Sequence, residues 1–306
     1  MDRIRLGPEK LSTSQNKPTD ATSTERWLLV DGLRVRFQRA GEGPAMVLVH
    51  GLLGYSFSWR YVLPAFAQHR EVFAPDMPGS GFSDCGPNLD CRLRVAAHRL
   101  LAFLDEAGIQ SCDLLGTSYG GTTAMMAAAF MPQRVGSLTL VAPANPWSRY
   151  GRNRLALFRL PGVSTFFPIA ARPFRPLRRC FLQRLYAEPS QMTAEALRGY
   201  SAPIGRSGVL EHAAGIARSW GSDMDELKTV LPGIAQIPTL LIWGNKDRAV
   251  DPASAEPLRR HFQNSQFVVM DGVGHLPYEE EPEQFGRIVM NFLLSGPGAA
   301  ASTHQS

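Results

Sequence analysis

The chain has 306 residues, of which 44 % are hydrophobic and 19 % charged, and its formal charge is +5. That apolar content excludes disorder as the main state. No run of about 18 apolar residues is present to cross a membrane as a helix, and the polar start Met1-Asp2-Arg3-Ile4-Arg5 lacks the apolar core of a secretory signal.

Residues 1–24 mix Ser, Thr, Asn, Lys and Pro without a period, and residues 296–306 are similar. They read as a disordered leader and a disordered tail. Trp27–Val30 and Leu33–Gln38 flank Asp31-Gly32, which signals a hairpin. Met46–Val49 and Glu71–Ala74 are short apolar runs that predict buried strands. Arg92–Ala107 has helical apolar spacing, with Asp90 as expected N-cap and Gly108 as stop. Cys112–Leu115 predicts a strand running into Gly116, and Thr122–Phe130 a helix. Further strands are expected at Leu138–Val141, Thr239–Trp243 and Phe267–Met270, and a closing helix at Pro282–Leu294. Short buried strands alternating with helices imply a parallel sheet covered on both faces.

The interval 145–237 breaks this rhythm, with many prolines and short helical patterns but no clear strand. A structureless loop of that length does not suit a compact domain, so a helical insertion is expected there. Its first part, from Asn145 to Ala187, holds nine arginines and no acid. The four cysteines, Cys85, Cys91, Cys112 and Cys180, form neither a CxxC pair nor a zinc-type spacing. They read as reduced thiols of a cytoplasmic protein, with no metal site.

The chemistry centres on Gly116-Thr117-Ser118-Tyr119-Gly120, a G-x-S-x-G between a predicted strand and a predicted helix. The flanking glycines let strand and helix approach, and the sharp turn exposes the serine oxygen above the sheet. A serine alcohol needs a base, and the base an orienting group. His275 follows the strand Phe267–Met270, and Asp247 follows Thr239–Trp243. Asp251 is the rival acid, and Asp247 is preferred because it lies nearer its strand end. Catalytic groups belong at the carboxyl ends of such strands. The developing oxyanion needs donors, and the backbone N–H groups of Tyr119 and Leu52 are assigned to it. His50, at the head of the His50–Gly54 loop, reads as a structural residue.

With these motifs in this order, the chain resembles the α/β-hydrolase family, in its single-domain form with a helical cap. The resemblance rests on His50-Gly51, on Asp76 to Ser83, on the Gly116–Gly120 turn, on Trp243-Gly244 to Asp247, and on Gly274-His275-Leu276-Pro277 with Glu280 and Pro282. It implies an α/β fold with a mostly parallel central sheet and helices on both faces. Residues 25–144 and 238–295 would form the core and residues 145–237 the cap. It also implies a Ser118–Asp247–His275 triad that needs no metal or organic cofactor.

The departures narrow the chemistry. Haloalkane dehalogenases and epoxide hydrolases of this family use an aspartate nucleophile, whose alkyl ester water can hydrolyse. Ser118 attacking an alkyl carbon would leave a stable ether, so those reactions are disfavoured. Carbon–carbon bond hydrolases keep the serine but usually carry a tryptophan after the histidine and a Gly-Pro-Gly-rich oxyanion loop. Here Leu276 and Leu52-Leu53-Gly54 stand instead. Phe158, Phe166, Phe167, Phe174 and Phe181 suggest a lid that is apolar inside and arginine-coated outside. A cationic mouth for anionic substrates is one alternative, and contact of the basic cap with an anionic membrane surface is the lesser one. No nucleic-acid module is present.

The expected function is a serine hydrolase that cleaves a carboxylic ester of a small apolar substrate through an acyl-enzyme. The alternatives are a carbon–carbon bond (meta-cleavage product) hydrolase, an acyltransferase or perhydrolase, and a non-catalytic ligand receptor on the same fold.

Overall fold

Short apolar runs, buried on both faces in the central strands, build one sheet. The computed structural model describes residues 4–6, 23–86, 89–150, 155, 157–160, 162–171 and 175–295. Its strands are β1 Ile4–Leu6, β2 Thr24–Val30, β3 Leu33–Ala40, β4 Ala45–Val49, β5 Glu71–Pro75, β6 Cys112–Thr117, β7 Val135–Val141, β8 Thr239–Gly244 and β9 Ser265–Met270. They lie in the order β1-β9-β8-β7-β6-β4-β5-β3-β2. The β2–β3 and β3–β5 pairs are antiparallel and all others parallel. The hairpin turns at Asp31 and Gly32, both at positive φ, the primed-turn geometry that the Asp-Gly pair signals.

Successive strand residues point to opposite faces, so each face carries its own core. On β6, Leu114 belongs to one cluster and Leu115 to the other. The first face is covered by α2 (Leu93–Glu106) and α3 (Tyr119–Phe130), with Leu100, Phe103 and Met125 buried against the strands. The second is covered by α1 (Leu63–Phe66) and α10 (Pro282–Ser295), through Phe66, Phe285 and Val289.

Between β7 and β8 the described residues form helices and no strand. These are α4 (Val163–Ala171), α5 (Arg175–Gln183), α6 (Ala194–Ser201) and α7 (Val209–Val230). Two short helices, α8 (Ala255–Arg259) and α9 (Pro277–Glu280), follow β8 and β9.

Two expectations change. Ile4–Leu6, within the expected disordered leader, pairs parallel to β9 in the register Ile4↔Val268. Three residues among polar neighbours carry no periodic signal from which such an edge strand could be read. Residues 1–3, 7–22 and the expected tail 296–306 lie outside the described residues. Asp90 is not the cap of α2: its carboxylate accepts the Arg92 N–H at 3.0 Å, and the helix opens after Arg92 with no side-chain cap. Gly108, at φ +72°, does follow the helix end.

The central strands carry the core. Leu241 of β8 is fully buried and pairs with Leu140 on one side and Phe267 on the other. Leu241→Ala should therefore lower unfolding free energy by about 2–5 kcal/mol. Urea titration should show this as a lower midpoint at unchanged slope.

Candidate active site

The turn after β6 is set by close packing. A Cβ on Gly116 would lie 2.5 Å from the Gly120 carbonyl oxygen, and one on Gly120 would lie 2.2 Å from the Val49 oxygen. Only glycine permits α3 to start so close to β6 and β4. Ser118 sits between them at φ +52° and ψ −122°, a conformation that costs a non-glycine residue on the order of 1–3 kcal/mol. Surrounding bonds hold it there. The Ser118 N–H donates to the Val141 carbonyl at 2.9 Å, and the Ser118 carbonyl accepts from Ala144 N–H at 3.1 Å.

Tyr119 opens α3, where the first N–H groups have no intrahelical acceptor. The His50–Gly54 loop reaches the same point, since a Cβ on Gly51 would lie 3.2 Å from the Ser118 Cβ. Leu52 is therefore carried beside the elbow. The loop is a tight turn, with Gly54 N–H donating to the Gly51 carbonyl at 2.9 Å and Leu53 at φ +60°.

His50 has both ring nitrogens engaged. Its Nε2 accepts the Met77 N–H at 2.9 Å, and its Nδ1 lies 2.9 Å from the Gly51 carbonyl. Burial lowers its pKa. It joins two loops and has no ring nitrogen left for proton transfer.

The candidate base and acid meet directly. His275 Nδ1 is 2.7 Å from Asp247 Oδ2, and both side chains are buried. The other carboxylate oxygen, Oδ1, accepts the N–H groups of Ala249 at 2.7 Å and Val250 at 3.0 Å. Asp247 is thus fixed from two sides and aimed at one ring nitrogen. Asp251 is spent elsewhere: its carboxylate accepts the Ala253 N–H at 3.0 Å and caps a short turn. The acid and base loops are also joined by backbone, through Lys246 N–H to the Val273 carbonyl at 2.9 Å and Asn245 N–H to the Met270 carbonyl at 3.1 Å.

Sequence reasoning missed the supports. Glu280 accepts the N–H groups of Gly274 at 3.0 Å and Ala187 at 2.8 Å. Burial raises its pKa, and these bonds oppose that shift. His275 itself donates its N–H to the Leu185 carbonyl at 2.7 Å. Both contacts attach the helical stretch to the base loop.

A second tie is the Glu279 carboxylate, which pairs with Arg60 and accepts the Tyr200 hydroxyl at 2.6 Å. Burial, with Glu279 beside it, raises the Tyr200 pKa well above the ordinary phenol range. In the sequence Glu280 is only a member of the motif that follows His275, and no local pattern links Arg60 to a residue 219 positions away.

An apolar pocket adjoins the elbow, lined by Leu52, Met77, Tyr119 and Ile216, with Arg99 and His212 also in its wall. Burial, with Arg99 second, lowers the His212 pKa to about 4, so this imidazole is neutral near pH 7. Not all of the expected lid phenylalanines enclose anything. Phe166, Phe167 and Phe181 are exposed, Phe158 is half-buried, and Phe174 lies outside the described residues.

Comparison with known proteins gives the family and the fold. A family model described as alpha/beta hydrolase fold matches residues 44–282. The chain is 28 % identical over 273 residues to a 2-hydroxy-6-oxo-6-phenylhexa-2,4-dienoate hydrolase of Burkholderia cepacia, covering 87 % of this chain and 93 % of that one. It is also 28 % identical over 270 residues to a pimeloyl-[acyl-carrier protein] methyl ester esterase of Aeromonas hydrophila, covering 85 % of this chain and all of the other. Among solved structures, Cfl2 of Burkholderia cenocepacia matches in fold with a TM-score of 0.78 at 23 % identity, over 88 % of this chain and 95 % of that one.

The two carboxylates differ enough to be told apart by mutation. Asp247→Asn should lower kcat by about three to four orders of magnitude. Asp251→Asn, whose carboxylate holds only a turn, should keep most of the activity. Steady-state hydrolysis of a p-nitrophenyl ester by the two purified variants checks this ranking.

Proposed function

Because the chain belongs to the α/β-hydrolase fold family, we propose that it is a serine hydrolase cleaving carboxylic esters of small apolar substrates through an acyl-enzyme. The observation that carries the reading is the buried Asp247–His275 pair at 2.7 Å, on the loops after β8 and β9, at the same end of the sheet as a serine held in a strained elbow.

In this reading Ser118 Oγ attacks the ester carbonyl carbon while His275 takes its proton at Nε2. Asp247 keeps Nδ1 protonated and stabilises the imidazolium that forms. The oxyanion of the tetrahedral intermediate is met by the N–H groups of Tyr119 and Leu52. The imidazolium then protonates the leaving alcohol as the carbon–oxygen bond breaks. A water enters, loses a proton to His275, attacks the acyl carbon and releases the acid, and Ser118 regains its proton. No cofactor enters any step. In this reading an apolar acyl group would lie toward Leu52, Met77 and Ile216, which line an apolar pocket beside Tyr119. The helical stretch is taken as a cap over the site, on the strength of the Leu185 bond to His275.

A second reading is carbon–carbon bond hydrolysis of a vinylogous 1,5-diketone, favoured by the 28 % identity to the Burkholderia cepacia enzyme. The same nucleophile and base would serve it. Against it stand Leu276 after the histidine and the Leu52-Leu53-Gly54 loop.

A substrate panel separates the two. For p-nitrophenyl esters, kcat/KM should rise from acetate to a short or medium chain, by up to about 0.8 kcal/mol per added CH₂, and then fall as the pocket fills. Meta-cleavage diketones should be cleaved poorly. Rapid diketone cleavage with negligible esterase activity would replace the ester assignment by the second reading.

A further inference from the structure

Among the described residues, eleven large hydrophobic side chains are exposed, and seven of them lie between Tyr150 and Phe181. Phe166 is 68 % exposed, Ile169 63 %, Leu160 54 % and Leu157 53 %. Exposed apolar residues on a monomer are normally scattered singly, and a concentration of them marks a surface that something covers.

The exposure is one-sided. On α4, Pro168 is buried while Phe166 and Ile169 on either side of it face out. The Phe167 ring meets Phe158 edge-on at 5.0 Å between centroids. On α5, Leu182 is buried against Ala196 and Tyr200, whereas Arg179, Cys180 and Phe181 face solvent. Among the described side chains of these two helices, only Pro168 and Leu182 are buried.

The charge of the same stretch is of one sign. Nine arginines and no acid lie between Asn145 and Ala187, and Arg149, Arg159, Arg179 and Arg184 are exposed. We propose that this face docks on an anionic lipid surface. Phe166, Ile169, Leu157 and Leu160 would enter the boundary between headgroups and acyl chains, while the guanidinium groups meet lipid phosphates.

A second copy of the chain would bring the same cations face to face, which like-charge repulsion opposes. An acidic protein would answer the arginines but would not require phenylalanine and isoleucine to stand in water. No helix among the described residues is long and apolar enough to cross a membrane, so the contact is peripheral. This departs from the lid expected from sequence, with its apolar residues inside. The proposal is independent of the ester assignment.

Flotation of the full chain with vesicles tests it. The probes are vesicles of phosphatidylcholine alone and of phosphatidylcholine with phosphatidylglycerol. The protein should float with the anionic vesicles, weakly with the neutral ones, and less at raised salt. The double variant Phe166→Ser/Ile169→Ser should lose at least about tenfold in partition while its melting temperature stays unchanged. Arg179→Gln/Arg184→Gln should also bind less, with a flatter salt dependence.

Absence of the wild type from anionic vesicles at low salt would overturn the proposal. So would undiminished binding by the Phe166→Ser/Ile169→Ser variant. Self-association in sedimentation, or capture of a purified acidic carrier protein, without vesicle binding would make the face a protein interface instead.

Discussion

Helix α3 can lie almost on strands β6 and β4 because Gly116 and Gly120 have no side chains at these contacts. That approach leaves the chain no relaxed route from strand to helix, and Ser118 takes up the turn at φ +52°. The strain has a consequence for chemistry. An unstrained turn would let the serine relax back toward the sheet, whereas this one holds it at the helix N-terminus, where backbone N–H groups converge. The parallel order of β6, β7, β8 and β9 then brings the loops after β8 and β9 to the same end of the sheet. Asp247 and His275 meet there. The backbone geometry at one residue and the strand order together put the candidate residues at one end of the sheet.

The helical stretch between β7 and β8 is anchored to this site as well as to the fold. Leu185 accepts from His275, and Ala187 donates to Glu280. The Arg60–Glu279 pair, with Tyr200 on the same carboxylate, fixes α6 to the first part of the chain. Burying a charged pair is costly unless its remaining polar atoms are also satisfied, and here hydroxyl groups contribute. The segments thus tied are adjacent in sequence to the ones whose apolar and cationic side chains face outward. A contact on the outer face would be one or two helices away from the base loop.

Much of the fold and of the candidate site's placement is legible in the sequence because their signals are local. The elbow is five consecutive residues, Asp247 and His275 each follow an apolar strand run, and Asp31-Gly32 declares its hairpin. The sequence preference for Asp247 over Asp251 rests on distance along the chain to the strand end; in the structure Asp247 meets His275 and Asp251 caps its own turn. What could not be read depends on partners far away in sequence. Glu280 receives N–H groups from the helical stretch, and Arg60 meets a carboxylate across most of the chain. Asp90 looked like a helix cap by residue type alone, but its carboxylate reaches the Arg92 N–H before the helix begins. The phenylalanines misled for another reason. Composition says that a segment is apolar, and only packing says which side of it is covered.

The account stands on covalent catalysis by one serine. A serine-reactive fluorophosphonate probe, followed by peptide mass spectrometry, tests it most directly. The wild type should lose esterase activity in proportion to labelling, with the adduct on Ser118, and Ser118→Ala should neither label nor turn over. An adduct at another residue, or near-normal esterase activity in Ser118→Ala, would contradict it.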